Sequence, residues 1–280
     1  MGKRTQRGLV AVGLILLALG GCTTITVDEQ RMMPSFGLGQ TLPEDYLLQD
    51  HHFERSDGSS VYGLSAIGDP AQVTVLYYGG NMQSVDRGMS RVVSNFSAMG
   101  LNVYYFDRRG QGRNAGSAGI DTAFEDAKAV YEYVRAQVDG PLILHGLSLG
   151  GFEAASLSAE ADIDALVLEA TATNVDDFVE HARLPWFARP FIRLEVDEAL
   201  RGFDNRDHLA DYDGPLLLLS GEDDRQTAPV LMEKLYEASP SEPRRLVLVE
   251  DAHHNNIMSQ SQTREAYRAF LMEIGLLSSD

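Results

Sequence analysis

The chain has little cysteine and little positive charge for its length. Its 280 residues include one cysteine, so no disulfide can form within the chain. Lysine and arginine number 23 against 41 aspartate and glutamate residues, which gives a net charge of −18 at pH 7. A surface this acidic repels the phosphates of nucleic acid and of anionic lipid head groups. We therefore expect no nucleic-acid partner and no basic patch that docks on a membrane.

Signatures of cofactors and metals are also missing from the sequence. There is no P-loop, and Gly110-Gln111-Gly112 lacks the third glycine of a dinucleotide-binding fingerprint. The histidine pairs His51-His52 and His253-His254 are adjacent, which is poor spacing for shared ligation of one ion. We expect neither a cofactor nor a metal.

One hydrophobic run near the N-terminus is too short for a comfortable transmembrane helix. Leu9–Leu19 suits the core of a signal peptide, follows a basic start and leads into Leu19-Gly20-Gly21-Cys22. This ending resembles a bacterial lipobox, which implies a signal peptide over residues 1–21 and a lipid anchor at Cys22 in the cell envelope. In a Gram-negative host, Thr23 and Thr24 in place of an aspartate imply the periplasmic side of the outer membrane. The alternative is an ordinary cleaved signal with an incidental cysteine.

The remainder of the chain has the pattern of an α/β domain over residues 46–280, after a tether and irregular lead-in at residues 22–45. Short apolar runs alternate with helical patterns such as Thr122–Gln137 and the last helix, Thr263–Ile274. Such runs are typical of strands buried on both faces of a parallel sheet, so the alternation predicts a doubly wound sheet. The eight predicted strands are Leu47–Phe53, Val61–Ile67, Val73–Tyr78, Val103–Asp107, Leu142–Leu144, Ala165–Leu168, Leu216–Ser220 and Arg245–Val249.

One connection between predicted strands is far longer than usual. Asn174–Asp213 contains several large aromatic residues, among them Trp186 and Phe203. Its position favours a cap of short helices over an active site. The alternative is a large packed crossover helix.

The most informative motif follows the strand Leu142–Leu144. It reads Gly146-Leu147-Ser148-Leu149-Gly150 and leads into a helix-compatible segment, which is the strand–turn–helix context of G-x-S-x-G. Side chains at 146 and 150 would collide with the backbone of so tight a turn, and glycine removes that clash. Ser148 is then exposed at a helix N-terminus, where negative charge is favoured. The pentapeptide alone is also consistent with a glycine-rich turn that carries a surface serine.

A serine nucleophile needs a base, and the base needs an orienting carboxylate. Both residue types follow the last two predicted strands, in the order nucleophile, acid, histidine. The first of these strands is followed by Gly221-Glu222-Asp223-Asp224, and the second by Glu250-Asp251-Ala252-His253-His254-Asn255. This ordered set is more specific than the serine motif alone.

With these motifs, the sequence from Tyr46 onward resembles the α/β-hydrolase superfamily. More narrowly, it is similar to single-domain serine hydrolases related to bacterial serine aminopeptidase-like lipoproteins and eukaryotic protein depalmitoylases. The resemblance implies the α/β-hydrolase fold, with a mostly parallel eight-stranded sheet, helices on both faces and a small helical cap. It implies that the acid is Asp224, with Asp223 or Glu222 as alternatives. It implies that the base is His254, with His253 as the alternative.

The resemblance also implies an oxyanion hole made of two N–H groups. One belongs to Leu149, and the other to the loop after the third strand, which reads Tyr78-Gly79-Gly80-Asn81-Met82 where the family carries His-Gly-Asn. Asn81 is the implied donor and Met82 the alternative, while the missing histidine usually supports the loop without reacting. A further family motif at residues 107–112 implies a structural role, in which Arg109 pairs with a loop carboxylate.

Together these residues predict a serine hydrolase that cleaves a carboxylic ester or thioester. Ser148, His254 and Asp224 would act through an acyl-enzyme on a small-molecule or acylated substrate, and we expect a monomer. A serine aminopeptidase is the alternative; it would need a carboxylate for the substrate ammonium, for which Glu180, Glu195 and Asp197 are available. A non-catalytic binding lipoprotein on the same fold is the third possibility.

Overall fold

The computed structural model describes residues 23–27, 46–68, 71–181 and 192–278. Apart from Thr23–Val27 and Ile192–Val196, each strand in these ranges overlaps a segment predicted above. The strands are β1 (Thr23–Val27), β2 (Leu47–Glu54), β3 (Ser60–Ile67), β4 (Thr74–Tyr78), β5 (Asn102–Phe106), β6 (Leu142–Leu147), β7 (Ala165–Glu169), β8 (Ile192–Val196), β9 (Leu216–Gly221) and β10 (Arg244–Val249).

Eight strands form one sheet, in the order β2-β3-β5-β4-β6-β7-β9-β10. The pairs β2–β3 and β3–β5 are antiparallel, and all other neighbours in this sheet are parallel. Every residue of β4, β5, β6, β7 and β9 is buried, as the near-continuous apolar runs predict. The predicted strand bounds agree to within one residue, except that β6 extends three residues further. The mostly parallel eight-stranded sheet is therefore confirmed.

Helices cover both faces of this sheet. Helices α1 and α7 pack on one face through side chains such as Phe96 and Phe270, while α2, α3 and α6 pack on the other through Val130, Ala154 and Leu235. The predicted helices Thr122–Gln137 and Thr263–Ile274 correspond to α2 and α7. The helices are α1 (Val85–Ser97), α2 (Ile120–Arg135), α3 (Leu149–Ser158), α4 (Val175–Glu180), α5 (Asn205–Ala210), α6 (Pro229–Ala238) and α7 (Ser261–Glu273).

The long connection after β7 is mixed in structure. It carries the short helices α4 and α5, a 3₁₀ turn at Glu198–Leu200 and the strand β8. β8 pairs in parallel with β1, so the described part of the expected tether and of the expected helical cap each contribute a strand to a separate two-stranded sheet. β-Branched residues dominate β1, which reads Thr-Thr-Ile-Thr-Val, and this composition favours extended backbone.

The expected signal peptide (1–21) and lipidation site, Cys22, lie outside the described residues, as does Trp186 of the insertion. None of the helices in the described ranges has the length and apolar character needed to cross a membrane.

Candidate active site

The loop that carries Ser148 is a tight turn between β6 and α3. Ser148 has a φ of 53°, in the left-handed region that non-glycine residues rarely adopt. A Cβ at Gly146 would lie 2.3 Å from the Gly150 carbonyl oxygen, and a Cβ at Gly150 would lie 2.1 Å from the Tyr78 carbonyl oxygen. No side chain fits at either position. The backbone of the turn itself excludes a side chain at Gly146, as the sequence predicts, whereas at Gly150 the obstacle is the end of the neighbouring strand β4.

Hydrogen bonds hold the strained turn in place. The Ser148 N–H donates to the Glu169 carbonyl at 2.8 Å, and the Thr171 hydroxyl donates to the Ser148 carbonyl at 2.7 Å. Ser148 itself is half-buried instead of exposed, since it lines a cleft. Backbone strain that is locked in this way is typical of functional sites.

The loops after β9 and β10 bring a carboxylate and an imidazole together. Asp224 is fully buried, and its Oδ2 lies 2.8 Å from Nδ1 of His254. Its Oδ1 accepts the backbone N–H groups of Gln226 and Thr227 at 2.8 and 2.9 Å. These three contacts fix the orientation of the Asp224 carboxylate.

The neighbouring acids and histidine that the sequence left as alternatives do not share this geometry. Glu222, Asp223 and His253 are all exposed. The two loops meet so closely that a Cβ at Gly221 would lie 2.4 Å from the Ala252 carbonyl oxygen. The Asp223 N–H also donates to that carbonyl at 2.9 Å, which holds one run against the other.

Thr227 is a further member of the site that sequence reasoning missed. Its Oγ1 lies 2.8 Å from Nδ1 of His254 and donates its proton to the Ala170 carbonyl at 2.9 Å. Because both neighbours of Nδ1 are then acceptors, Nδ1 carries the imidazole proton and Nε2 is left as the acceptor. In sequence, Thr227 has no feature that distinguishes it from any other loop threonine.

A cleft of about 630 Å³ opens above the carboxyl ends of the parallel strands. Ser148, Leu149, Asn81 and His254 all line it, so it contains every predicted site residue within the described ranges except the buried Asp224. Part of its wall is apolar, and two arginines stand at its rim. The apolar part of the wall consists of Phe152, Ala172, Val175 and Phe178, and the two arginines are Arg87 and Arg91.

The loop expected to form the oxyanion hole is held by a buried ion pair. Arg108 donates to the carbonyl of Gly79 and, at 3.1 Å, to the carbonyl of Gly80. The same guanidinium binds Glu153 of α3, with one contact at 2.7 Å. Burial lowers the pKa of Arg108, but the charge and hydrogen bonds of Glu153 outweigh burial and raise that pKa above its ordinary value. This pair supports the loop in a chain that lacks the family's histidine.

The motif around Arg109 is structural, as the sequence suggests. Arg109 binds Asp126 at 2.7 Å and Asp57 at 2.6 Å. Asp107 accepts the N–H groups of Val85 and Arg113 at 2.7 and 3.0 Å, and its burial raises its pKa to about 6. These contacts fix the exit of β5 and the start of α1.

Comparison with known proteins agrees with this fold. A model of the family described as "Serine aminopeptidase, S33" matches residues 68–206. The solved structure of the Pyrococcus furiosus esterase Pf2001 aligns with a TM-score of 0.69 and 20% identity over 87% of this chain and 99% of its own. The chain has the α/β-hydrolase fold.

Two relatives illustrate the breadth of the sequence similarity. The uncharacterized protein Rv2307c of Mycobacterium tuberculosis is 28% identical over 99% of this chain and 99% of its own length. The lysophosphatidylserine lipase ABHD12 of Xenopus tropicalis is 29% identical over 70% of this chain and 57% of its own. The comparisons support a hydrolase on this fold.

Proposed function

We propose that the protein is a serine hydrolase that cleaves a carboxylic ester or thioester. The observation that carries the proposal is the contact of a fully buried carboxylate, Asp224, with Nδ1 of a histidine that lines the same cleft as Ser148. Nucleophile, base and orienting acid are the three parts of this mechanism.

In the proposed reaction, Nε2 of His254 accepts the Ser148 hydroxyl proton as Oγ attacks the carbonyl carbon. Asp224 and Thr227 hold the imidazole with its proton on Nδ1 and stabilise the imidazolium that forms. The N–H groups of Asn81 and Leu149 bind the tetrahedral oxyanion. His254 then protonates the leaving group, and water releases the acyl group from Ser148 by the reverse proton transfers.

An ester or thioester suits this cleft better than the N-terminus of a peptide. An aminopeptidase needs a carboxylate to bind the substrate ammonium, and no aspartate or glutamate lies among the described residues that line the cleft. The three carboxylates that the sequence offered for that task, Glu180, Glu195 and Asp197, are exposed and lie outside this lining. The esterase and lipase names of the similar proteins point in the same direction.

Ser148→Ala tests the proposal directly. The wild-type protein is expected to react with a fluorophosphonate probe and to hydrolyse p-nitrophenyl esters faster than aminoacyl anilides. The Ser148→Ala variant is expected neither to react with the probe nor to hydrolyse either substrate. Ser156→Ala, on the same helix, is the matched control and is expected to behave as wild type. A labelled Ser148→Ala variant would place the nucleophile elsewhere, and an unreactive wild-type protein would favour a binding function.

We further propose that the enzyme is lipid-anchored at Cys22 in the bacterial cell envelope. The proposal rests on the short apolar run and the Leu19-Gly20-Gly21-Cys22 sequence. Its substrate is then a small molecule or an acylated molecule at the membrane surface.

A further inference from the structure

The cleft has a charge opposite to that of the whole chain. The chain carries 41 acidic and 23 basic residues, yet the described lining of the cleft holds two arginines and no carboxylate. Arg87 and Arg91 are four residues apart on α1, so their side chains leave the same face of that helix. A small anion that is repelled by most of the surface meets a local positive field here.

The position of one arginine is tied to the reacting groups. Arg91 Nη1 donates to the carbonyl of Asn255 at 3.3 Å, and Asn255 directly follows His254. Both arginines are exposed, so an incoming molecule can reach them from solvent. Guanidinium groups bind carboxylate and phosphate oxygens with two parallel hydrogen bonds, which suits an anionic group on a substrate.

The apolar part of the lining comes from other elements. Phe152 lies on α3, while Val175 and Phe178 lie on α4 at the start of the long insertion. α1 packs on one face of the sheet and α3 on the other, and Ser148 lies between them at the carboxyl end of β6. The cationic and apolar regions are therefore separated across the nucleophile.

From this arrangement we propose that the substrate is an anionic amphiphile, an ester with one apolar arm and one arm that carries a carboxylate or phosphate. The apolar arm lies against Phe152, Val175 and Phe178, and the anionic arm binds Arg87 and Arg91. This inference rests on the proposed function, since the ester bond must lie at Ser148.

Three matched probes test the inference: the 1-decanoyl esters of glycerol and of glycerol 3-phosphate, and the 3-decanoyl ester of glyceric acid. They share the acyl chain and differ in having no anion, a phosphate or a carboxylate. Wild-type kcat/KM is expected to be at least about tenfold higher for one or both anionic esters. The phosphate and carboxylate arms distinguish the two possible anions. The preference is expected to shrink with added salt, because exposed charges are screened.

The variants separate a binding role from a general effect. Arg87→Gln/Arg91→Gln is expected to bring the kcat/KM values for the three esters to within about twofold of one another. Arg87→Lys/Arg91→Lys is expected to keep part of the preference for the anionic esters. The control variant Arg201→Gln, which changes an exposed arginine outside the cleft, is expected to keep all of it. Equal turnover of all three esters by wild type, or a preference that survives in the Gln variant, would overturn the inference. Loss of all hydrolysis together with loss of fluorophosphonate labelling in wild type would instead overturn the proposed function.

Discussion

Two glycines decide the geometry around Ser148. Gly146 and Gly150 leave no room for a Cβ, since each would meet a backbone carbonyl oxygen at under 2.5 Å. Backbone atoms cannot move aside as the end of a flexible side chain can, so the contacts exclude every other residue. At Gly146 the obstacle is the turn itself, so this exclusion is local and the sequence alone could reveal it, whereas at Gly150 the obstacle is the Tyr78 carbonyl at the end of β4, which only the fold brings close.

His254→Ala is expected to lower kcat on a p-nitrophenyl ester by roughly 10³- to 10⁴-fold, because it removes the proposed base. His253→Ala is the matched control; its side chain is exposed, and we expect kcat within about twofold of wild type. Steady-state kinetics of both purified variants, with circular dichroism to verify folding, make the comparison. A larger loss in the His253 variant would shift the assignment by one residue.

At the scale of residues, the sequence predicted the types of side chain in the site better than which residue of each run supplies them. Runs such as Glu222-Asp223-Asp224 and His253-His254 offer several equivalent side chains, among which the family resemblance favoured Asp224 and His254, and in the structure these two are buried and in contact. Thr227 could not be found at all, because its contact with His254 joins two loops that are 27 residues apart.

At the scale of elements, the loop after β4 depends on its neighbours on both sides. Arg108 reaches from the end of β5 to the carbonyls of Gly79 and Gly80, and Glu153 of α3 holds the guanidinium. The ion pair thus connects α3, the helix that follows Ser148, to the loop that carries Asn81. A charged pair so deeply buried is costly to break from one side, since the remaining charge is unpaired.

The double variant Arg108→Met/Glu153→Gln removes both charges and leaves none unpaired. We expect it to fold and to lose about 10- to 100-fold in kcat with little change in KM, because the loop that carries the proposed oxyanion donor, Asn81, loses its support while the cleft walls remain. Steady-state kinetics and a thermal melt measure the two effects. A folded double variant with wild-type kcat would contradict the positioning role. The single variant Glu153→Gln is expected to melt at a lower temperature than the double variant.

The strands of the main sheet were predictable because they are continuous apolar runs between turn residues. Their order in the sheet was not predicted, since pairings such as β3 with β5 join segments about 40 residues apart. The pairing of β1 with β8 was not predicted. Its partners are five-residue strands far apart in sequence, and neither has a long enough pattern to be recognised alone.

At the scale of the whole molecule, the proposed lipid anchor at Cys22 would determine where the protein works. Cys22→Ser is expected to release the protein from membranes or to block its processing, because the acyl chains attached to the thiol are lost. Each buried CH₂ contributes roughly 0.8 kcal/mol, so several chains anchor a protein almost irreversibly where one does not. Labelling with an alkynyl fatty acid and a membrane sedimentation assay provide the measurement, with Thr23→Ser as the control. A soluble, unlabelled wild-type protein would leave only an ordinary secretion signal.

The strand β1 begins at Thr23, one residue after Cys22, and pairs along its whole length with β8. Val196 at the end of β8 packs in the same cluster as Leu149, next to Ser148. The four residue-to-residue steps from Thr23 to Val27 cover roughly 13 Å of extended strand. A lipid on Cys22 would therefore be joined to the folded domain without a flexible linker. The mouth of the cleft would stay at a set height above the bilayer. Substrates dissolved in that bilayer would then reach the cleft by diffusion in two dimensions. Substrates in bulk water would have to reach a cleft whose mouth is held close to the lipid surface.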